Sequence, residues 1–348
     1  MFATNAWYVA AWSSELGATP LGRTLLNEPV VLFRDAAGHA AALEDRCCHR
    51  GMALSTGTLQ PSGLQCGYHG LVFDGGGHCV HVPGQDTIPA SLRVRSFPIE
   101  ERDALVWIWM GDPALADPGE IVSYPWHATW PHKTKTERLA CNYLLIADNL
   151  LDQSHAAYVH TSTLSSNRQA YDTTEMTTTP TPTGVKFMRW MLGCEPPGLY
   201  SAAVAFKGKV DRWQEFEYVA PSCILQFTGA KDVGTGAYEG DRDGGFGLRI
   251  FYGITPETED TSWFIWSFAN GHRQNEPGAT EALFRSLEQA FKEDEDVLDL
   301  QQKRLKQFPG RPLVNIKSDG ARMVARRAVG RLVGAEHGPE AERAIVMG

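Results

Sequence analysis

Four residues constrain this chain more than any other feature. Cys47 and His49 are followed, after sixteen intervening residues, by Cys66 and His69. Each short segment offers one thiolate and one imidazole, the ligand types of zinc and of iron–sulfur clusters. Two such loops can grip a metal centre from two sides, and Gly51, Gly67 and Gly70 permit the tight turns this requires. Structural zinc sites usually pair Cys with Cys and His with His. Here each loop mixes the two, which suits a [2Fe–2S] pair with both thiolates on one iron and both imidazoles on the other. Cys48 is then a spacer with the buried thiol that is the default for free cysteine, and Cys79 a packing residue.

A second constellation lies downstream, where Asp152, His155 and His160 form D-x2-H-x4-H. Two imidazoles and one carboxylate on a face of Fe(II) leave positions open for dioxygen. Asp152 and His155, three apart, share a helix face. His155 and His160, five apart, differ by about 140° around an ideal helix. A helix expected over Asn142 to His160 must therefore end or distort between the two histidines if both bind one metal. A pair of ordinary helix histidines is the plain alternative, and the first motif in the same chain weighs against it. Asp148 reads as a helix-surface or capping carboxylate.

The net charge of −9 argues against a nucleic-acid or anionic-membrane partner. No apolar run reaches the roughly eighteen residues of a membrane span. Met1 to Trp7 lacks a basic segment leading into an apolar one, so a cytoplasmic location with reduced thiols is expected, and the odd count of seven cysteines agrees. A length of 348 residues suggests about two domains. Apolar runs such as Pro29–Phe33 and Ala104–Trp109 make residues 1–112 an all-β domain. Residues 113–131 are punctuated by Pro and Gly and read as a linker. Residues 132–348 read as α+β, strand-like over 184–268 and helical over 279–308 and from about Ala321 to Val333. Arg322, Arg326, Arg327 and Arg331 are expected on a solvated helix face.

Cys47-Cys48-His49-Arg50-Gly51 with Cys66-Gly67-Tyr68-His69-Gly70-Leu71, Val82-Pro83-Gly84 and Trp107–Gly111 resembles the Rieske domain of Rieske non-haem iron oxygenases. The likeness extends over nearly the whole chain, to the vanillate O-demethylase and dicamba monooxygenase type. It implies an N-terminal all-β Rieske domain followed by a helix-grip-like α+β catalytic domain with an antiparallel sheet. It places a [2Fe–2S] cluster on Cys47, His49, Cys66 and His69, and a mononuclear Fe(II) on His155, His160 and a carboxylate of the C-terminal helix. Counting back eight residues from Gln302, where the family pattern ends, selects Asp294, with Glu293 and Asp296 as competitors. The resemblance makes Asp152 a bridge that hydrogen-bonds His155 and a Rieske histidine, His69, of a neighbouring subunit in a head-to-tail homotrimer. Asn149 matches a position near the iron and reads equally as a transient ligand or a surface residue.

These expectations describe a terminal oxygenase. Asp74-Gly75-Gly76-Gly77 does not give G-x-G-x-x-G before a helix, so electrons are expected from NAD(P)H through a separate reductase. That partner would dock near the cluster loops, where Arg46 and Arg50 are candidate contacts. The expected reaction is O-demethylation of a small aromatic methyl ether to a phenol and formaldehyde; methyl-group monooxygenation and ring dioxygenation are the alternatives. The pocket is expected from 184–268 and the helix before Asp294. Ile254–Glu259 resembles a dicamba-type segment, near which those enzymes carry a histidine where this chain has Tyr252. Trp190, beside Arg189, and Trp266 read equally as pocket or core. A Rieske electron carrier would need only the first domain and leave 148–160 unexplained; a zinc-stabilised binding protein is the third class.

Overall fold

The computed structural model describes residues 1–161, 174–272 and 274–347. These form two compact units, Met1–Ser123 with Thr255–Glu259, and Tyr124–Ile254 with Asp260–Gly348. The inclusion of Thr255–Glu259 in the first unit has no precursor in the sequence reading.

The first unit is built from short strands between turns, as its β-branched and aromatic runs dictate. β1 (Trp7–Trp12), β2 (Leu21–Leu25), β3 (Glu28–Arg34), β4 (Ala40–Glu44), β5 (Thr58–Gln60), β6 (Gly63–Gln65), β7 (Val72–Phe73), β8 (Cys79–His81), β9 (Ser96–Phe97), β10 (Ile99–Arg102) and β11 (Leu105–Trp109) follow in order. They make three sheets: β1-β11-β10, β2-β3-β4-β9 and β5-β6-β7-β8. The Cys–His loops precede β5 and β7. Asp112, just before the expected linker, and Asp117, within it, each cap a short 3-10 turn by accepting from Ala114 or Gly119 N–H.

The second unit is a seven-stranded sheet with helices. Its strands are β12 (His132–Leu139), β13 (Glu175–Pro180), β14 (Gly184–Cys194), β15 (Val210–Val219), β16 (Cys223–Asp232), β17 (Phe246–Pro256) and β18 (Ser262–Asn270), in the order β12-β18-β17-β16-β15-β14-β13. The pairs from β13 through β17, and β12 with β18, are antiparallel. The helices are α1 (Trp126–Thr129), α2 (Tyr143–Leu151), α3 (Ala156–Val159), α4 (Gly198–Ala203), α5 (Ala279–Gln307), α6 (Gly320–His337) and α7 (Pro339–Met347). α4 interrupts what the sequence reads as a continuous strand region.

α5 buries Leu283, Leu287, Ala290, Asp294, Leu298 and Gln302, a stripe at steps of three and four. Asp294 thus occupies a core position between apolar Ala290 and Leu298. At the far end of that stripe, Gln302 Oε1 accepts the Asn142 N–H at 2.9 Å, while Asn142 caps α2 by accepting from Leu144 N–H. This ties the start of α2 to α5.

Two expectations fail here for one reason. Asp148 is no surface carboxylate, and the arginines are not all solvated. Arg326, 5% exposed, and Arg322 both ion-pair with Asp148, at 2.7 and 3.1 Å. Arg327 and Arg331 alone remain exposed. A buried charge is tolerated when opposite charge and hydrogen bonds surround it, and Asp148 accepts several from both guanidinium groups. The pairing holds α6 against α2.

Candidate metal centres

The two Cys–His loops of the first unit share one backbone design. The Cys47 N–H donates to Met52 O and the Cys66 N–H to Leu71 O, both at 2.8 Å. The Cys47 carbonyl accepts from Gly51 and the Cys66 carbonyl from Gly70, at 2.9 and 3.1 Å. These glycines have φ of +71° and +73°, a conformation that costs an L residue about 1–2 kcal/mol. Cys47 and Cys66 are buried in an apolar cluster with Leu54, Leu64, Leu71 and Phe73. His49 and His69 are exposed, their ring centroids 4.5 Å apart. Burial, with the Cys66 thiol alongside, pushes the Cys47 thiol up to about 11. A metal bound there must displace that proton. Two adjacent buried thiols and two touching imidazoles fit a [2Fe–2S] cluster of mixed ligation. Cys48 is exposed, not buried, because it stands at the outer tip of its loop beside His49; Cys79 packs inside.

In the second unit the helix expected over 142–160 breaks. α2 ends at Leu151, Asp152 leaves helical geometry at φ −113° and ψ 92°, and a 3-10 turn over Gln153–His155 leads into α3. His160 closes α3 with ψ of 42°. The break thus falls before both histidines rather than between them: His155 is still helical, α3 links the pair, and the chain leaves helical geometry only at His160, with the two rings 5.2 Å apart. Asp294 reaches both from α5: its Oδ1 lies 3.4 Å from His155 Nε2 and 3.3 Å from His160 Nε2. One donor atom from each of the three lies within 4.8 Å of the others.

Each imidazole is anchored through its other nitrogen. His155 Nδ1 donates to the Asp152 carbonyl at 2.6 Å, and His160 Nδ1 to Glu293 Oε2 at 2.8 Å. Both anchors put the proton on Nδ1 and leave the Nε2 lone pair for a metal. Asn149 Nδ2 donates to Asp294 Oδ1 at 3.0 Å and so orients that carboxylate. Burial lowers the His155 pKa. Burial also acts against charge on His160, but hydrogen bonding to Asp294 and Glu293 outweighs it and raises that pKa. Two imidazoles and one carboxylate converging in this way fit ferrous iron with open positions.

Three sequence candidates take different places from those expected. The contact between Asp152 and His155 runs through the Asp152 backbone carbonyl; its carboxylate instead caps the 3-10 turn at Ser154 N–H and accepts from the Ser318 hydroxyl at 3.2 Å. Glu293 buttresses His160. Asp296 points outward and pairs with Lys292.

The three donors border a partly open pocket, with about 520 Å³ of empty space when the solvent at its mouth is included. Leu199, Leu248, Ile250, Leu287 and Phe291 supply apolar walls, and Gln214, Gln226, Thr228 and Tyr252 polar ones. Tyr252, fully enclosed, donates to Gln226 Oε1 at 2.6 Å. Trp266 lies behind Phe291, rings 4.6 Å apart, and Trp190 packs on Trp213; neither lines the pocket. Arg189 donates to the Gln153 carbonyl at 2.7 Å and steadies the turn carrying His155. Arg212, Gln226, Thr228 and Tyr200 are absent from the sequence reading. The alternation in Arg212-x-Gln214-x-Phe216 was the signal available, because alternate residues of a strand share a face.

Comparison with known proteins agrees with this geometry. Residues 6–98 match the Rieske [2Fe–2S] domain, and residues 139–335 the vanillate O-demethylase oxygenase C-terminal domain. The iron–sulfur subunit of the toluene-4-sulfonate monooxygenase system of Comamonas testosteroni is 41% identical over 97% of this chain and 99% of its own. The vanillate O-demethylase oxygenase subunit of Pseudomonas sp. (strain HR199 / DSM 7063) is 34% identical over 97% and 96%. A crystal structure of dicamba monooxygenase bound to dicamba superposes with a TM-score of 0.89 at 35% identity, covering 97% of this chain and 99% of that one. A two-domain match of this extent sets aside the electron-carrier and zinc-protein readings. The chain belongs to the Rieske non-haem iron oxygenases, in the group of the vanillate O-demethylase oxygenase subunits.

Proposed function

We propose that this chain is the terminal oxygenase of a multicomponent system and hydroxylates the methyl carbon of a small aromatic methyl ether, releasing formaldehyde and a phenol. The observation that carries this reading is the convergence of His155, His160 and Asp294 at a pocket with an apolar wall of Leu199, Leu248, Ile250, Leu287 and Phe291. Cys47, Cys66, His49 and His69 would hold the [2Fe–2S] cluster, and His155, His160 and Asp294 the Fe(II). When bound, these groups supply dioxygen activation fed by one electron at a time. The protein's own part is placement. Leu248, Ile250, Leu287 and Phe291 clamp the ring and exclude water. Glu293 and the Asp152 carbonyl hold each imidazole in the tautomer that faces inward, and Asn149 holds the Asp294 carboxylate.

Electrons come in this reading from NAD(P)H through a separate reductase. Exposed His49, His69, Tyr68 and Met52, with Arg46 and Arg50 on the same loop, favour docking there. A head-to-tail homotrimer, with Asp152 linking His155 to a neighbour's His69, completes the electron path. Residues 1–112, 113–131 and 132–348 serve as Rieske domain, linker and catalytic domain. All seven cysteines are free, as suits the cytoplasm. Among the described residues no helix is long and apolar enough to cross a membrane.

A second reading, oxygenation of a ring-bound methyl group, is favoured by the 41% identity to the toluene-4-sulfonate relative. The two readings differ in product. Incubated with a reductase and a panel of methoxy- and methyl-arenes, the enzyme is expected to release formaldehyde from at least one methyl ether. Benzylic alcohol from a methylarene, with formaldehyde from none, would replace the first reading by the second.

The anchoring roles are testable separately. Glu293→Ala should weaken ferrous iron binding by about tenfold to a hundredfold, as loss of a partner behind a metal-bound imidazole does. Asp296→Ala should leave it unchanged. Iron titration followed by competition with a chelator measures both, and equal effects of the two would refute the assignment of Glu293.

A further inference from the structure

We propose that Arg212 recognises an anionic substituent, a sulfonate or a carboxylate, on the aromatic substrate; this rests on the aromatic-oxygenase reading and deepens it. Arg212 is 3% exposed and lines the pocket that His155, His160 and Asp294 border. It supplies the only lysine or arginine charge among the described lining residues. A planar fork of donors at the wall of a ligand pocket matches the paired oxygens of a carboxylate or sulfonate.

The sheet register gives the arrangement. Arg212 and Gln214 stand on one face of β15, opposite Ala230 and Thr228 of β16. Gln214 Nε2 donates to Gln153 Oε1 at 3.2 Å, in the turn that carries His155. Arg212 therefore lies two residues, about 7 Å of strand, beyond the residue that touches the metal-site turn. That separation is comparable with the length of a ring substituted at both ends. Arg212 also has a fixed platform. Its guanidinium carbon sits 5.0 Å from the centre of the Tyr200 ring. Tyr200 stacks on Phe246 at 4.0 Å and shares a hydrogen bond with Thr228 Oγ1 at 2.8 Å. Leu248 and Ile250, which line the same pocket, offer apolar contact to a ring. A substrate with its anion at Arg212 presents the opposite end to His155, His160 and Asp294.

The test uses the full-length enzyme and three probes of similar shape: toluene-4-sulfonate, 4-methoxybenzoate and the neutral 4-methylanisole. Calorimetry or quenching of tryptophan fluorescence gives Kd for each. Wild type is expected to bind both anions more tightly than the neutral ether. Arg212→Gln is expected to lower that anion-to-neutral preference by about tenfold to a hundredfold, the range for a lost charge-assisted hydrogen bond. Arg212→Lys keeps the charge without the fork and should restore part of the preference; it also carries the test if the glutamine variant does not fold. The anion losing more affinity identifies the substituent the site is shaped for. Equal weakening of charged and neutral probes, or a wild type that does not prefer the anions, overturns the assignment of Arg212 and leaves the oxygenase reading standing. Failure to bind or oxidise any of the three, charged or neutral, would overturn both.

Discussion

Replacing His155 with alanine should empty the second metal site and abolish turnover while the [2Fe–2S] absorbance stays intact. The reason lies in where the residue sits. His155 belongs to the second unit and to a 3-10 turn steadied by Arg189 at the Gln153 carbonyl and by the Asp152 cap, so removing its ring leaves the turn's backbone bonds in place. What disappears is one of three donors. Asp294 and His160 remain 3.3 Å apart, too few to hold the ion firmly. Turnover should fall by more than the roughly hundredfold that losing a partner behind a ligand brings. Iron analysis with visible and electron paramagnetic resonance spectra checks this. Loss of the cluster signal, with the second iron retained, would contradict the assignment of two separate sites.

Asp152→Asn should separate structure from electron delivery. The Asp152 carbonyl that anchors His155 is backbone and survives the substitution. The carboxylate's structural duty is a cap on Ser154 N–H and a bond from Ser318. Asparagine caps about as well as aspartate, so both metals should remain. The charge is lost, and the oxygen that accepts from Ser318 becomes an NH2 group that can donate to that hydroxyl instead. If Asp152 bridges to a neighbouring subunit's His69, steady-state turnover should fall by about tenfold to a hundredfold or more. Ser318→Ala, which removes one neutral hydrogen bond, should cost about 1 kcal/mol of stability and little turnover. Near-normal turnover in Asp152→Asn would refute the bridge. Loss of iron in that variant would show that the carboxylate holds the His155 turn.

Both metal motifs were legible in the sequence because each depends on short spacings between residues of distinctive chemistry. The Cys–His loops needed no tertiary information, since Gly51 and Gly70 announce their turns. Asp294 needed a little more. The resemblance selected it, by counting back from Gln302; in the fold it sits in the stripe Leu287, Ala290, Asp294, Leu298, while the other members of the acidic run face outward or aside. The angle between His155 and His160 pointed to an end or distortion between them; the helix instead breaks at Asp152, before both, and α3 ends at His160. What stayed illegible depends on contacts between distant segments. Asp148 looked like surface until α6 brought Arg322 and Arg326 onto it, across more than 170 residues. Arg212 drew no reading at all, and it is buried on β15, an interior strand of the seven-stranded sheet. Glu293 was ranked only as a rival ligand, because sequence spacing cannot tell the atom that faces a metal from the one that faces the far side of an imidazole.

The central claim is that one polypeptide carries an electron-relay cluster and a separate iron site for dioxygen. Iron and acid-labile sulfide analysis of anaerobically purified and reconstituted enzyme tests it most directly. The account predicts roughly three irons and two sulfides per chain, with one iron removable by chelator while the reduced-cluster resonance persists. A colourless protein loaded with zinc, or iron that leaves only together with the sulfide, would contradict it.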